Sequence, residues 1–176
     1  LMKSYAGSVM KNEVEGLERI KNSEKLCLVL GGSKPDDVLD FLKHLAPKAE
    51  RILLGGMVGE LFLHANGTHL GEKGKVLQER FSDSIEEIRN VYRQHEEKFL
   101  LPVDMAIESE GRREEQELHE INGMTFDIGS KTTEMFHDAI IDSEMILMKG
   151  PMGAYENELF LHGSRNVIKS MEHATG

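Results

Sequence analysis

Two glycines, a serine and a lysine, Gly31-Gly32-Ser33-Lys34, follow an apolar run and precede a proline that can open a helix. Glycines let a backbone approach an anion closely, a helix start adds partial positive charge, and a lysine adds a mobile full charge. The stretch reads as a phosphate-facing loop. Lys131 and Lys149 stand in the same setting, each beside a glycine-containing turn at the end of an apolar run. Any one of these lysines alone reads as ordinary surface charge. Pro35 removes one amide from the helix start, and Asp36 and Asp37 bring negative charge to the same turn, so Lys34 rather than the helix dipole is expected to hold an anion here.

Other chemistries find little support. Neither a G-x-x-x-x-G-K-[ST] loop nor a G-x-G-x-x-G fingerprint after a strand occurs, which argues against a P-loop enzyme and an ordinary dinucleotide fold. The eight histidines, among them His44, His64, His137 and His162, show no H-E-x-x-H or Cys-paired spacing, so no metal centre is expected. Cys27 lies inside the apolar run and reads as a core thiol.

The elements that must position the loops repeat one order: apolar run, glycines, helical pattern. Val9, Met10, Val14, Leu17 and Ile20 outline a first helix ending near Asn22-Ser23. After the strand at 26–30, Val38, Phe41, Leu42 and Leu45 keep helical spacing until Pro47. A strand at 51–54 runs into Gly55-Gly56 and a helix over 57–65. Asn66-Gly67 and the stretch 71–74 read as loop, followed by a long polar helix that restarts at a capping box, Ser84-Ile85-Glu86-Glu87. Residues 99–107 read as one strand region, and the charged stretch 111–120 as an exposed excursion or short hairpin. The pattern then recurs twice, with strands at 125–128 and 145–149 and helices over 132–141 and 159–173, the last with a stripe of Phe160, Val167, Ile168 and Met171. Such alternation predicts a three-layer, Rossmann-like α/β domain with a mainly parallel sheet flanked by helices on both faces.

Composition sets the wider limits. At 176 residues and 39% hydrophobic content, one domain is expected. A formal charge of −10 argues against nucleic acid as a partner. The longest apolar stretches fall far short of the roughly 20 residues a membrane helix needs, and no apolar leader is evident, so neither insertion nor export is expected. A single cysteine suits a reducing, cytoplasmic setting.

Taken together, the glycine loops resemble a known family. Gly31-Gly32-Ser33-Lys34, Gly55-Gly56-Met57, Leu101-Pro102-Val103-Asp104, Asp127-Ile128-Gly129-Ser130-Lys131-Thr132 and Gly150-Pro151-Met152-Gly153-Ala154-Tyr155-Glu156 are similar, in the same order, to motifs of the nucleotide-binding, C-terminal domain of phosphoglycerate kinase. The opening Ala6-Gly7-Ser8-Val9-Met10-Lys11-Asn12-Glu13 resembles the start of that domain. The resemblance implies binding of Mg-ATP or Mg-ADP as substrate, with 3-phosphoglycerate held by a separate N-terminal domain. It implies that Lys34 holds a phosphate, that Gly55, Gly56 and Gly129 wall the adenine site, that Pro151 and Ala154 pack on the base, and that Glu156 accepts from the ribose hydroxyls. Gly31, Gly32, Ser33, Gly150 and Gly153 would complete the loops.

The sequence departs from the family pattern at three places. Val38 occupies the position of a second phosphate-contacting lysine; members of archaeal type also lack that lysine and carry an acidic pair where Asp36-Asp37 stand. Lys149 replaces the asparagine that opens the Gly-Pro-Met-Gly loop, and is expected to supply positive charge near the phosphates. The sequence given stops before the family's Gly-Gly-Gly-Asp loop, whose aspartate holds the magnesium, and begins after the phosphoglycerate domain. The isolated chain is therefore expected to bind nucleotide weakly and to turn over negligibly. Alternatives are a non-catalytic nucleotide-binding or interaction module derived from this family and, on fold rhythm alone, a dinucleotide-dependent oxidoreductase.

Overall fold

The computed structural model describes residues 23–174; the helix expected over 9–20 and the family-like stretch 6–13 lie outside the described residues. The apolar runs become strands β1 (Leu26–Leu30), β2 (Arg51–Leu54), β3 (Phe99–Leu100) and β7 (Met145–Lys149) of one sheet, in the order β3-β2-β1-β7. All three pairings are parallel. Every residue of β1 is buried, as a central strand covered on both faces requires. Helices α1 (Pro35–Leu45), α2 (Gly56–Ala65) and α4 (Ile85–Gln94) pack together, with α3 (Gly71–Phe81) against α2, while α5 (Ser130–Ile141) and α6 (His162–Ala174) pair with each other. The result is a mixed α/β domain whose four-stranded parallel sheet is flanked by helices. Chain order runs outward from β1 through β2 to β3 but places β7 on the opposite side of β1, so β1 and β7 straddle a topological switch point.

A second sheet, ordered β5-β4-β6, was not expected from the alternation. It comprises β4 (Asp104–Ser109), β5 (Arg112–Glu117) and β6 (Thr125–Ile128), all antiparallel. The region 99–107 is thus two strands in two sheets, interrupted at Leu101-Pro102-Val103, where proline cannot donate to a ladder. The charged stretch is a hairpin with a two-residue loop, Glu110-Gly111, both at positive φ (52° and 73°), the geometry of a primed turn.

Other boundaries also move. Gly71 opens α3, so the expected loop at 71–74 is its first turn. The helix does restart at Ile85, but no side chain caps it: the Ser84 hydroxyl donates instead to Asp36 Oδ1 at 3.3 Å. Phe160 belongs to a short 3-10 turn before α6, and Ile168 is exposed while Ser164 and Ser170 are buried.

Three loops at the carboxyl ends of β1, β2 and β7 are sewn together by main-chain bonds. Gly31 N–H donates to the Lys149 carbonyl (2.8 Å), Gly32 N–H to Pro151 (2.8 Å), and Gly56 N–H to Met152 (2.7 Å). No side chain fits between them. A Cβ on Gly31 would lie 2.2 Å from the Pro151 oxygen, and one on Gly150, itself at φ +80°, would lie 2.5 Å from the Gly31 oxygen.

Two buried carboxylates tie the second sheet to the helices. Asp104, at the start of β4, caps α5: Oδ2 accepts from Lys131 N–H (2.9 Å), and Oδ1 from Thr132 N–H (2.8 Å) and the Thr132 hydroxyl (2.5 Å). Asp127 on β6 accepts from Gly163 N–H (2.9 Å) at the start of α6 and from Arg113 Nη1 of β5 (2.9 Å). Burial pushes the Asp127 carboxyl above its ordinary range, opposed by these donors. Arg113 is only 12% exposed at its side chain and donates also to Glu115 and the Ile128 carbonyl.

Breaking a buried pair by removing one partner typically costs about 3–5 kcal/mol. The Asp127 amide donors and its capacity to protonate place Arg113→Met near the lower end, at about 3 kcal/mol in urea unfolding. Asp127→Asn added to that change is expected to restore part of the loss, and a double variant no more stable than Arg113→Met would contradict the pairing.

Candidate functional site

A cavity of about 550 Å³ opens at the switch point. The residues to which the resemblance assigns nucleotide binding line it except Gly55 and Gly129, and Lys131 lies outside it, its ammonium paired with Glu117. The 31–34 loop after β1 and the 149–156 segment after β7 form its rim, with Gly56 at the start of α2. A Cβ on Gly55 would strike Met152 Sδ at 2.5 Å, and one on Gly129 would lie within 2.6 Å of the Asp104 carboxylate oxygens. Both glycines therefore make room for the protein's own side chains, and neither lines the cavity.

Lys34 is the N-cap residue of α1, exposed, and its ammonium has no hydrogen-bond or ion-pair partner among the described residues. The α1 start has Pro35 at its first turn with Asp36 and Asp37 behind it and no side-chain cap. Its dipole is offset by those carboxylates, so Lys34 is the accessible positive group of the loop. Lys149 also lines the cavity, but its ammonium sits 5.8 Å from the centroid of the Phe41 ring, two turns into α1. Delivering that charge to the 31–34 loop, as expected from the sequence, requires the side chain to turn away from this cation–π contact. Val38 is buried in α1 yet contributes to the cavity wall.

Pro151, Gly153 and Ala154 offer a small apolar surface, with Tyr155 and Glu156 exposed beside it. Their loop is held from below: Ala154 N–H donates to the Phe126 carbonyl (2.7 Å), and Gly153 lies so close to Asp127 that a Cβ would meet Oδ1 at 2.3 Å. Met152 N–H donates to the buried Ser164 hydroxyl (2.9 Å) at the start of α6.

Four wall residues escaped the sequence reading: Glu60, Lys73, Thr125 and Phe126. Glu60 is 2% exposed. Its Oε1 accepts from the Thr125 hydroxyl (2.5 Å), and Oε2 is ion-paired with Lys73 Nζ at 2.9 Å. Lys73 also donates to the Thr125 carbonyl (3.0 Å). One signal existed: Glu60 is the sole acidic residue of α2, which is otherwise apolar except for His64 near its end. Lys73 was hidden because its turn read as loop. Burial drives the Glu60 carboxyl above its ordinary value of 4.5, opposed by Lys73 and Thr125.

Burial likewise pushes the Cys27 thiol up to about 11, so it is no nucleophile at neutral pH. Among the described residues no group of three or more His, Cys, Asp or Glu is placed to hold a metal ion, and no helix is long and apolar enough to cross a membrane.

The raised Glu60 pKa has a sign that can be checked. The folded state binds the proton more tightly than the unfolded one, so this group favours folding at low pH and loses that contribution as pH rises from 4.5 through its folded pKa. The melting temperature of Glu60→Gln relative to the unsubstituted chain is expected to improve over that rise; a constant difference would contradict the shift.

The sequence and fold have known counterparts. The phosphoglycerate kinase family model matches residues 1–176. The chain is 34% identical to the phosphoglycerate kinase of Haloarcula marismortui over 97% of its own length, and 35% identical to that of Sulfolobus acidocaldarius over its whole length. The crystal structure of phosphoglycerate kinase from Pyrococcus horikoshii superposes with a TM-score of 0.84 at 29% identity, and the solved structure of phosphoglycerate kinase from Coxiella burnetii with 0.81 at 25%, each over 94% of this chain. The chain spans 45% and 44% of the two curated relatives and 44% of each solved chain. By sequence and by fold, the chain belongs to the phosphoglycerate kinase family.

Proposed function

We propose that this cavity is the ADP/ATP site of a phosphoglycerate kinase of archaeal type, and that the chain is its C-terminal, nucleotide-binding domain. The observation that carries the reading is the convergence of three glycine loops on one cavity with Lys34 at its rim, its ammonium without a partner among the described residues. Lys34 binds nucleotide phosphate as a point charge on a flexible stem, able to follow a group that changes hands. Pro151 and Ala154 pack on the base, and Glu156 accepts hydrogen bonds from the ribose. Magnesium arrives as part of the Mg-nucleotide substrate.

In the whole enzyme the γ-phosphoryl of ATP passes to the carboxylate of 3-phosphoglycerate, giving ADP and 1,3-bisphosphoglycerate, and the reverse step makes ATP in glycolysis. Such transfer depends on positioning and charge neutralisation by groups facing the phosphates from both substrates' sites. The described residues supply the nucleotide side of that arrangement, so the 176 residues alone are expected to bind nucleotide with negligible turnover. The single buried Cys27 suits a cytoplasmic setting. Val38 on the cavity wall and Lys149 engaged by Phe41 reduce the positive charge near the phosphates. They favour, as a second reading, a nucleotide-binding module of this family that no longer catalyses.

Thermal shift and calorimetry test the site. ADP is expected to raise the melting temperature by mass action and NADH to leave it unchanged; a rise with NADH alone would contradict the assignment. Lys34→Ala, which removes a charge-assisted contact, is expected to weaken ADP binding about tenfold or more, and Ser33→Ala far less. Equal losses would contradict the role given to Lys34.

A further inference from the structure

No residue of β5 is apolar and four of its six are exposed, so burial of apolar surface contributes little to holding that strand in place. Arg113 is the exception to its solvated character, with a side chain only 12% exposed. Its guanidinium reaches two segments besides its own strand. Nη1 donates to Asp127 Oδ2 (2.9 Å) and to the Leu159 carbonyl (3.4 Å), and Nη2 to the Ile128 carbonyl (2.8 Å) as well as to Glu115 (2.8 Å). A planar fork of donors can join a carboxylate and two carbonyls at once, which a lysine ammonium on the same strand could not do with the same geometry.

These contacts bracket the loop on one side of the cavity. At its near end Gly153 rests against Asp127, where a Cβ would lie 2.3 Å from Oδ1, and Ala154 N–H donates to the Phe126 carbonyl (2.7 Å). At its far end Arg113 holds the Leu159 carbonyl, and Gly163 N–H donates to Asp127 Oδ2 (2.9 Å). Residues 155–158 between them are exposed, and the main-chain bonds of Tyr155 and Asn157 stay within the loop. Its position is therefore set at its ends. Phe160 packing on Phe126, with ring centroids 4.9 Å apart, keeps the loop attached but does not fix its path. Resting on the nucleotide-site reading above, we propose that Arg113 is a positioning residue for nucleotide binding: through Asp127 and Leu159 it holds Ala154 and Glu156 where the nucleoside meets them. Arg113 does not line the cavity and touches no ligand itself. Without it, the ligand must order the loop on binding, and that cost comes out of the affinity.

Calorimetric titration of the full chain with Mg-ADP and with inorganic tripolyphosphate tests this, since the second ligand engages Lys34 but carries no nucleoside. Arg113→Met is expected to weaken Mg-ADP binding about tenfold, the worth of one displaced hydrogen-bonding contact, and to leave tripolyphosphate binding unchanged. Arg113→Lys, which keeps the charge but not the fork, is expected to fall between. Adding Asp127→Asn to Arg113→Met restores part of the stability but leaves the Leu159 carbonyl without its donor, so Mg-ADP affinity is expected to stay low. That double variant separates positioning from a merely structural role, and serves if Arg113→Met does not fold. Melting temperatures confirm that each variant used is native at the temperature of titration. Unchanged Mg-ADP affinity in the native variants, equal losses for the two ligands, or an affinity that returns with stability in the double variant would overturn the positioning role while leaving the nucleotide site intact. No Mg-ADP binding by the unsubstituted chain would overturn both this inference and the nucleotide reading on which it rests.

Discussion

The site depends on main-chain atoms of three loops approaching one another without intervening side chains. Gly31 and Gly150 meet across the ends of two parallel strands whose last paired residues are Leu30 and Lys149, and Gly56 closes the third side against the Pro151 oxygen. A methyl group at any of these positions would have to displace backbone, which is far harder than turning a flexible side chain. Parallel pairing makes the meeting unavoidable. It brings the carboxyl ends of β1, β2 and β7 to one edge of the sheet, and the reversal of strand order between β1 and β7 opens the crevice there.

The second sheet serves this edge from the side. Its residues are highly charged, and β5 has little apolar surface to bury, yet two carboxylates lock it to the helices. Asp104 holds the start of α5 and Asp127 the start of α6, while Arg113 crosses from the exposed hairpin to complete the Asp127 pair. Gly129, Gly153 and Gly163 each leave space for one of these carboxylates. The glycine pattern thus encodes two things at once: close approach of loops at the cavity rim, and room for internal polar pins beneath it. Since buried pairs add little net stability, their evident contribution is to fix where the 150–156 loop sits relative to α6.

Much of this was legible because β1, β2 and β7 are short, apolar and ended by glycine, and because α1 and α5 follow at once. The rim residues of the cavity could be named from those loops. What stayed hidden was long-range and polar. Nothing in the local pattern of β4 distinguishes a strand of the main sheet from one in a separate antiparallel sheet, since both present a continuous run of buried residues. The Arg113–Asp127 pair spans an exposed-looking hairpin, and a charged run reads as solvated unless its partner is known. Gly55 and Gly129 look like ligand-facing glycines by sequence, but the atoms they avoid, Met152 and Asp104, come from distant segments. The Glu60 corner was half visible, as an acid in an apolar helix, and half lost to the misread start of α3.

The central claim is that the loops after β1, β2 and β7 form one nucleotide site. The measurement that addresses it most directly is an amide chemical-shift titration of the full chain with Mg-ADP. The account predicts that the largest perturbations fall on Gly31, Gly32, Ser33, Lys34 and Gly56 and on the 150–156 segment, saturating together with one affinity. Perturbations centred on the groove between α5 and α6, or loops that respond with separate affinities, would contradict it.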